Sequence, residues 1–142
     1  MAAARACQRA TRIRADSKRL RGELFRVQLP REPTSGALAR RLLEEHLGAD
    51  SPEQIADAKT VASELVNNAI VHGYGAIELR VSRRRGRLRI EVTDEGTDAS
   101  IHSRVAATPH GLDIVDALSL AWGTREGSTH VWAELRAHSA LA

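Results

Sequence analysis

Glu64-Leu65-Val66-Asn67-Asn68-Ala69-Ile70-Val71-His72-Gly73 is the stretch whose reading decides the fold. It closes a segment without Pro or Gly that begins at Asp57, and Ala58, Ala62, Leu65 and Ala69 recur in it at helical spacing. A second apolar set, Val61, Val66, Ile70 and Val71, covers much of the remaining circumference, which predicts a helix buried on most sides. Against that background Glu64, Asn68 and His72 stand four residues apart and form one polar stripe. Carboxylates and amides cost free energy when buried without partners. The stripe therefore either satisfies an internal network or faces a ligand.

Working outward, Glu23 to Leu29 alternates as a half-buried strand that Pro30 and Pro33 stop. Thr34 or Ser35 can cap a helix with Leu38, Leu42, Leu43 and Leu47 on its apolar side, Arg40, Arg41, Glu44 and Glu45 outward, and Gly48 as its stop. Ser51-Pro52-Glu53 is a start signal for the central helix, which Gly73 and Gly75 end. Ile77, Leu79 and Val81, then Leu88, Ile90 and Val92, alternate on either side of Arg84-Arg85-Gly86 and predict a hairpin. The same parity carries Asp94 onto the apolar, helix-covered face, where an aspartate needs a donor. Thr97 to Pro109 has the small, polar character of a lid loop, Gly111 to Leu120 returns to helical spacing, and Val131, Ala133 and Leu135 make a last strand.

A chain of 142 residues fits one domain, and its few aromatics make the core aliphatic. The single cysteine, Cys7, excludes an internal disulfide framework and suits a reducing cytosol. No apolar run reaches membrane-spanning length, so the expectation is a soluble, cytoplasmic protein. The net charge of +3 divides unevenly: residues 1–22 carry +6 and residues 23–142 carry −3. Residues 1–22 are thus a basic extension ahead of a domain at 23–142. Clustered arginines leave a nucleic-acid reading open, but with no aromatics among them a solvated extension is favoured.

Glu64 and Asn68, then Asp94-Glu95-Gly96 after a strand, then His110-Gly111-Leu112-Asp113 opening a helix, resemble in order and spacing the Bergerat-fold ATPases. Gyrase, chaperone, histidine-kinase and mismatch-repair proteins share that fold. Lys59 through Tyr74 looks most like the bacterial anti-sigma factor serine kinases, and the resemblance runs from about Glu23 to about Arg136. It implies a two-layer α/β sandwich with a mixed, mainly antiparallel sheet and helices on one face. It also implies ATP and Mg²⁺ as cofactors, a sigma factor and an anti-anti-sigma protein of STAS type as partners, and a homodimer.

The residues offer what a nucleotide requires. Asp94 can accept from the exocyclic amine of adenine while Gly96, lacking Cβ, lets the backbone approach the ring. Asn68 presents a neutral oxygen suited to Mg²⁺, and Gly111 lies where a helix N-terminus would meet phosphate. Glu64 can orient or deprotonate the attacking hydroxyl. By resemblance, Glu64 takes the place of the catalytic glutamate, Asn68 of the metal ligand, Asp94 of the adenine reader, and Thr129 of a threonine that helps hold the adenine site. Arg40 falls where the family has an arginine contacting its protein partners, and His110 can contact phosphate. His72 is expected to hydrogen-bond within the fold.

Two positions depart from the family pattern, Asp98 where a small residue is usual and Pro109 where a glycine is usual. Pro109 removes an N–H that could meet a phosphate. The departures keep a rival open, a non-catalytic binder in which nucleotide is structural or absent, whereas an intact Glu64 favours a kinase. A eukaryotic-type protein kinase or P-loop enzyme is disfavoured because neither motif is present.

Overall fold

The computed structural model describes residues 22–48, 50–96, 109–124 and 130–136. The elements follow the chain as β1 (Glu23–Leu29), α1 (Ser35–His46), α2 (Pro52–His72), β2 (Ile77–Arg84), β3 (Arg87–Thr93), α3 (Pro109–Leu118), β4 (Ala121–Thr124) and β5 (Val131–Arg136). The strands form one sheet in the order β1-β2-β3-β5-β4, and each pairing is antiparallel, so the expected mixed sheet has no parallel pair among the described residues.

Register explains why one face is apolar. Phe25 pairs with Val81, Val81 with Ile90 and Ile90 with Ala133, while Val27, Leu79, Val92 and Val131 form a parallel row. Two apolar rows thus cross four strands on the face the helices cover, all of them buried. The four residues of β4 are too short a pattern to predict a strand. They become one because β5 supplies a ladder from Ala121↔Glu134 to Thr124↔Val131.

Helix α2 is the centre of the helical layer, packed against α1, α3 and the sheet. Its start is built as the sequence indicates: Ser51 Oγ accepts from the Gln54 N–H at 3.3 Å, with Pro52 in the first turn. At its other end the Arg31 guanidinium donates to the carbonyls of Ala69, at 2.8 Å, and Ile70. The Ala69 carbonyl also accepts the Gly73 N–H at 2.8 Å, and a cation beside these last-turn carbonyls favours that end of the helix dipole. Helix α1 departs from expectation at both ends. Thr34 is its N-cap residue but makes no side-chain cap bond, Ser35 Oγ donates instead to the Pro30 carbonyl at 2.5 Å, and Leu47 rather than Gly48 is its C-cap. Helix α3 begins at Pro109, where a missing N–H breaks no helical hydrogen bond. No helix among the described residues is long and apolar enough to cross a membrane.

The other face of the sheet is polar, and its cross-strand neighbours are ion pairs. Arg80 reaches Glu91 at 2.5 Å, Arg89 reaches Glu134 at 2.9 Å, and Arg87 reaches the same Glu134 at 3.3 Å. Glu91 is only 3% exposed beneath these guanidinium groups, with His130 Nε2 at 2.8 Å from its other oxygen. Burial pushes the Glu91 carboxyl up, but hydrogen bonds from His130 and Arg80 and the charge of Arg80 outweigh it and hold the group at about 2.

A carboxyl whose folded value lies below its ordinary one, near 4.5, stabilises the fold fully above that ordinary value. As pH falls from 4.5 toward 2 the unfolded chain binds the proton first, so this stabilisation is lost in that window. Glu91→Gln should lower thermal stability at pH 7 and shrink the difference from the parent as pH approaches 3, measured by thermal unfolding across pH. A difference that stays constant with pH would assign the effect to packing.

Candidate functional site

Asp94, the residue after β3, is 7% exposed on the helix-covered face, as parity requires. Its Oδ1 accepts the Gly96 N–H at 2.7 Å, which tightens the chain into a turn just past the strand. The other side of the carboxylate faces Gly73, the C-cap of α2. A Cβ at Gly73 would stand 2.7 Å from Asp94 Cγ and 2.6 Å from the Ala69 carbonyl oxygen. Only a residue without Cβ lets the end of α2 lie this close to the aspartate.

Glu95 completes the joint. Its backbone N–H donates to the Tyr74 carbonyl at 2.8 Å, and its side-chain Oε2 accepts from the Ala76 N–H at 2.7 Å. Gly75 sits between them at φ +66, where a Cβ would run into the Glu95 carboxylate. The turn from α2 into β2 is therefore folded around Glu95, and through it the strand end carrying Asp94 is fastened to the helix carrying Glu64 and Asn68.

On α2, Asn68 is 8% exposed and Glu64 is half-buried one turn earlier on the same side. Glu64 makes no side-chain hydrogen bond or ion pair among the described residues. The helical rise of about 1.5 Å per residue puts Asn68 roughly 7 Å and Glu64 roughly 13 Å along the axis from Gly73. Helix α3 packs against α2, and its first turn holds His110 and Gly111. In that position free N–H groups of a helix N-terminus can meet anionic oxygens.

A model of the histidine kinase-like ATPase domain matches residues 29–118 of this chain. The chain belongs to this family. Among curated proteins, the anti-sigma F factor of Clostridium botulinum is 43% identical over 49 residues, covering 31% of this chain and 34% of that protein. The anti-sigma F factor of a Thermoanaerobacter species is 46% identical over 48 residues, with the same coverage. The chain thus spans about a third of the length of the curated relatives it matches.

The ATPase-domain family implies ATP, and the local structure fits an adenine base beside Asp94. The carboxylate is a buried acceptor in a mainly apolar layer, and Gly73 keeps side-chain bulk away from it. The donor set also suits Mg²⁺, because Asn68 offers one neutral oxygen and Mg²⁺ takes most of its ligands from phosphates and water. No cluster of three or more His, Cys, Asp or Glu forms a separate metal cage among the described residues.

Not every expected residue joins this arrangement. Thr129 lies outside the described residues, as do Asp98 and the rest of the expected lid before Pro109, and the same holds for the side chain of His110. Arg40 is exposed on α1 and makes no hydrogen bond or ion pair to Asp94, Asn68 or Glu64, so nothing joins it to this arrangement among the described residues. The expected hydrogen bond of His72 is not met at Nε2, which is buried without a partner among the described residues. Sequence reasoning missed Gly73 and Glu95 as a joint. The signal was Gly-Tyr-Gly close after a polar helix stripe, and its pairing with Asp-Glu-Gly is a tertiary contact.

Adding one methyl at two glycines separates packing at this joint from any general effect. Gly73→Ala should destabilise the fold by about 1–3 kcal/mol, as overpacking does, and weaken ATP binding measured by calorimetry. Gly48→Ala, with nothing within 4 Å of its added Cβ, should change neither appreciably. Equal behaviour of the two variants would show that Asp94 is not held by the close approach of Gly73.

Proposed function

We propose that this chain is an anti-sigma factor with ATP-dependent serine/threonine protein kinase activity. It holds a sigma factor and phosphorylates a STAS-type anti-anti-sigma protein. The observation that carries the reading is Glu64 and Asn68 one turn apart on a helix whose far end abuts the buried Asp94. The anti-sigma F names of the partial relatives support it.

In this reading Asp94 accepts from the adenine amine, Gly96 gives the ring room, and Thr129 helps close the base site. Gly111 and His110 offer phosphate contacts at the N-terminus of α3. Asn68 would hold Mg²⁺, which supplies charge neutralisation for the phosphates. A serine or threonine hydroxyl of the antagonist attacks the γ-phosphorus as the bond to the bridging oxygen breaks and ADP leaves. Glu64 receives the hydroxyl proton. Its freedom from structural bonds among the described residues suits that role, since a carboxylate tied into a network is a weaker acceptor. In this reading Arg40, which is exposed on α1, contacts the protein partners, and two copies of the chain form the working dimer.

A second reading is favoured by Pro109. A helix that opens on proline presents one N–H fewer to phosphates. The same fold would then sequester its partner without transferring phosphate.

Calorimetric titration with ATP and Mg²⁺ should show binding to the parent and a loss of roughly tenfold or more on Asp94→Ala, because a bonded acceptor is removed from a buried site. Unchanged binding in the variant would take Asp94 out of the site. Glu64→Gln keeps the shape of the site, so ATP binding should survive while labelled-phosphate transfer to the antagonist falls by roughly 10² or more. Equal transfer by both proteins would defeat the catalytic role of Glu64, and no transfer by the parent would leave the binder reading in place.

A further inference from the structure

The last turn of α2 ends without the usual closure of a helix. Gly73 is its C-cap in an extended conformation, φ −91 and ψ −171, and Tyr74 does not take the left-handed conformation either. Donors reach the last-turn carbonyls from elsewhere in the chain. Arg31, 38 and 39 residues earlier, spreads its guanidinium fork over two successive carbonyls, Nη2 donating to Ala69 at 2.8 Å and Nη1 to Ile70. The Ala69 carbonyl also takes the Gly73 N–H at 2.8 Å.

The loop that carries Arg31 is itself pinned. The Pro30 carbonyl accepts the Glu32 N–H at 2.9 Å and the Ser35 hydroxyl at 2.5 Å, and the Glu32 carbonyl accepts the Ser35 N–H at 3.0 Å. Arg31 therefore stands at the apex of a tight turn between β1 and α1 and reaches across to α2. Pro30 fixes φ just before it, and Leu29 ahead of that is buried in the core. Arg31 itself is exposed, so its part in the fold is this contact. A planar fork of donors on a fixed base holds two carbonyls in one orientation, which a single flexible donor cannot do.

What Arg31 holds is one wall of the joint beside Asp94. A Cβ on Gly73 would stand 2.6 Å from the Ala69 carbonyl oxygen on one side and 2.7 Å from Asp94 Cγ on the other. The gripped carbonyl, Gly73 and the Asp94 carboxylate are thus consecutive contacts, and Asn68 precedes Ala69 in the same turn. A rotation of this turn would press the carbonyl against Gly73 and shift the glycine across the carboxylate. Side chains that meet a ligand keep their geometry only as well as the groups behind them are held.

We propose that Arg31 is a positioning residue for the nucleotide base: through the Ala69 and Ile70 carbonyls it fixes the last turn of α2 against Asp94 and so sets the preference for adenine. This role rests on the reading of Asp94 as the acceptor of the adenine amine. A cation at a helix end ordinarily contributes electrostatic stability alone, and a loss of stability falls equally on every nucleotide the fold binds. Positioning differs, because Asp94 distinguishes bases by the exocyclic amine, whereas in that reading the phosphates are met by Asn68 and the start of α3. Inosine triphosphate has the sugar and phosphates of ATP but a carbonyl in place of the amine. It reports every contact except the one that Arg31 positions.

The test is calorimetric titration of ATP and of inosine triphosphate, each with Mg²⁺, on the full chain and on Arg31→Gln and Arg31→Lys. The parent should prefer ATP by roughly tenfold, the effect of one hydrogen bond to a buried carboxylate. Arg31→Gln should lose roughly fivefold or more in ATP affinity with less than about a twofold change toward inosine triphosphate. Arg31→Lys keeps the cation but has one nitrogen for two carbonyls, so its preference should fall between those of the parent and the glutamine variant. Circular dichroism identifies which variants are folded. A parent-like preference in Arg31→Gln, or in Arg31→Lys should the glutamine variant be unfolded, overturns the proposal while leaving Asp94 as the base reader. Equal losses toward both nucleotides overturn it in favour of a purely structural contact. A parent that binds neither nucleotide, or both alike, overturns the reading of Asp94 and the proposal with it.

Discussion

Everything in this domain is arranged around a helix enclosed on nearly all sides. Helix α2 lies between α1 and α3 and rests on the sheet, so most of its apolar residues are removed from water together, although Val71, expected among them, is exposed near its C-terminal end. Val61, Ala62 and Val66 are fully buried, and a buried valine or leucine contributes about 1.5–3 kcal/mol relative to leaving it exposed. That stabilisation is what allows Asn68 to sit among them and Asp94 to face the same layer. The polar atoms are tolerated in this layer because the apolar packing around them is dense. They are useful there because the low dielectric makes each hydrogen bond they offer to a ligand count for more than it would in water.

The same enclosure explains why the joint at Gly73 matters. A helix gripped on several sides cannot adjust its end, so the strand carrying Asp94 must come to it. Gly73 lets it approach, Glu95 fastens it, and Arg31 donates to the last-turn carbonyls of α2. The Asp94 carboxylate and the two polar residues of α2 are tied together by the close approach at Gly73 and by Glu95 rather than by bonds between their own side chains. Sites built this way hold their geometry before a ligand arrives.

The two faces of the sheet solve different problems. The inner face is aliphatic rows in register, which gives stability without polar atoms to satisfy. The outer face uses arginine and glutamate on neighbouring strands, and burying Glu91 under three basic side chains makes its charged state part of the fold. Exposed surface pairs contribute little singly. A shared, buried carboxylate is different, because removing its partners would leave a charge without solvent or counterion.

Much of this was legible from local pattern. Period-two alternation located β1, β2, β3 and β5, and the parity of the third of these carried Asp94 to the inner face. Helical spacing and the Ser51-Pro52 start located α2, and the four-residue recurrence of Glu64, Asn68 and His72 marked the polar stripe on it. These features repeat within a few residues, so the sequence by itself determined them. What only the tertiary structure decided involves partners far apart in the chain. Strand β4 exists because β5 offers it a ladder, and Ala76 finds Glu95 because a hairpin brings β3 back to the end of α2. Arg83 reaches both Asp50 and Gly22, joining a loop, a strand edge and the start of the fold. No periodicity records such contacts, since each depends on the register of strands and on which helix carbonyls are left unpaired when the layers close.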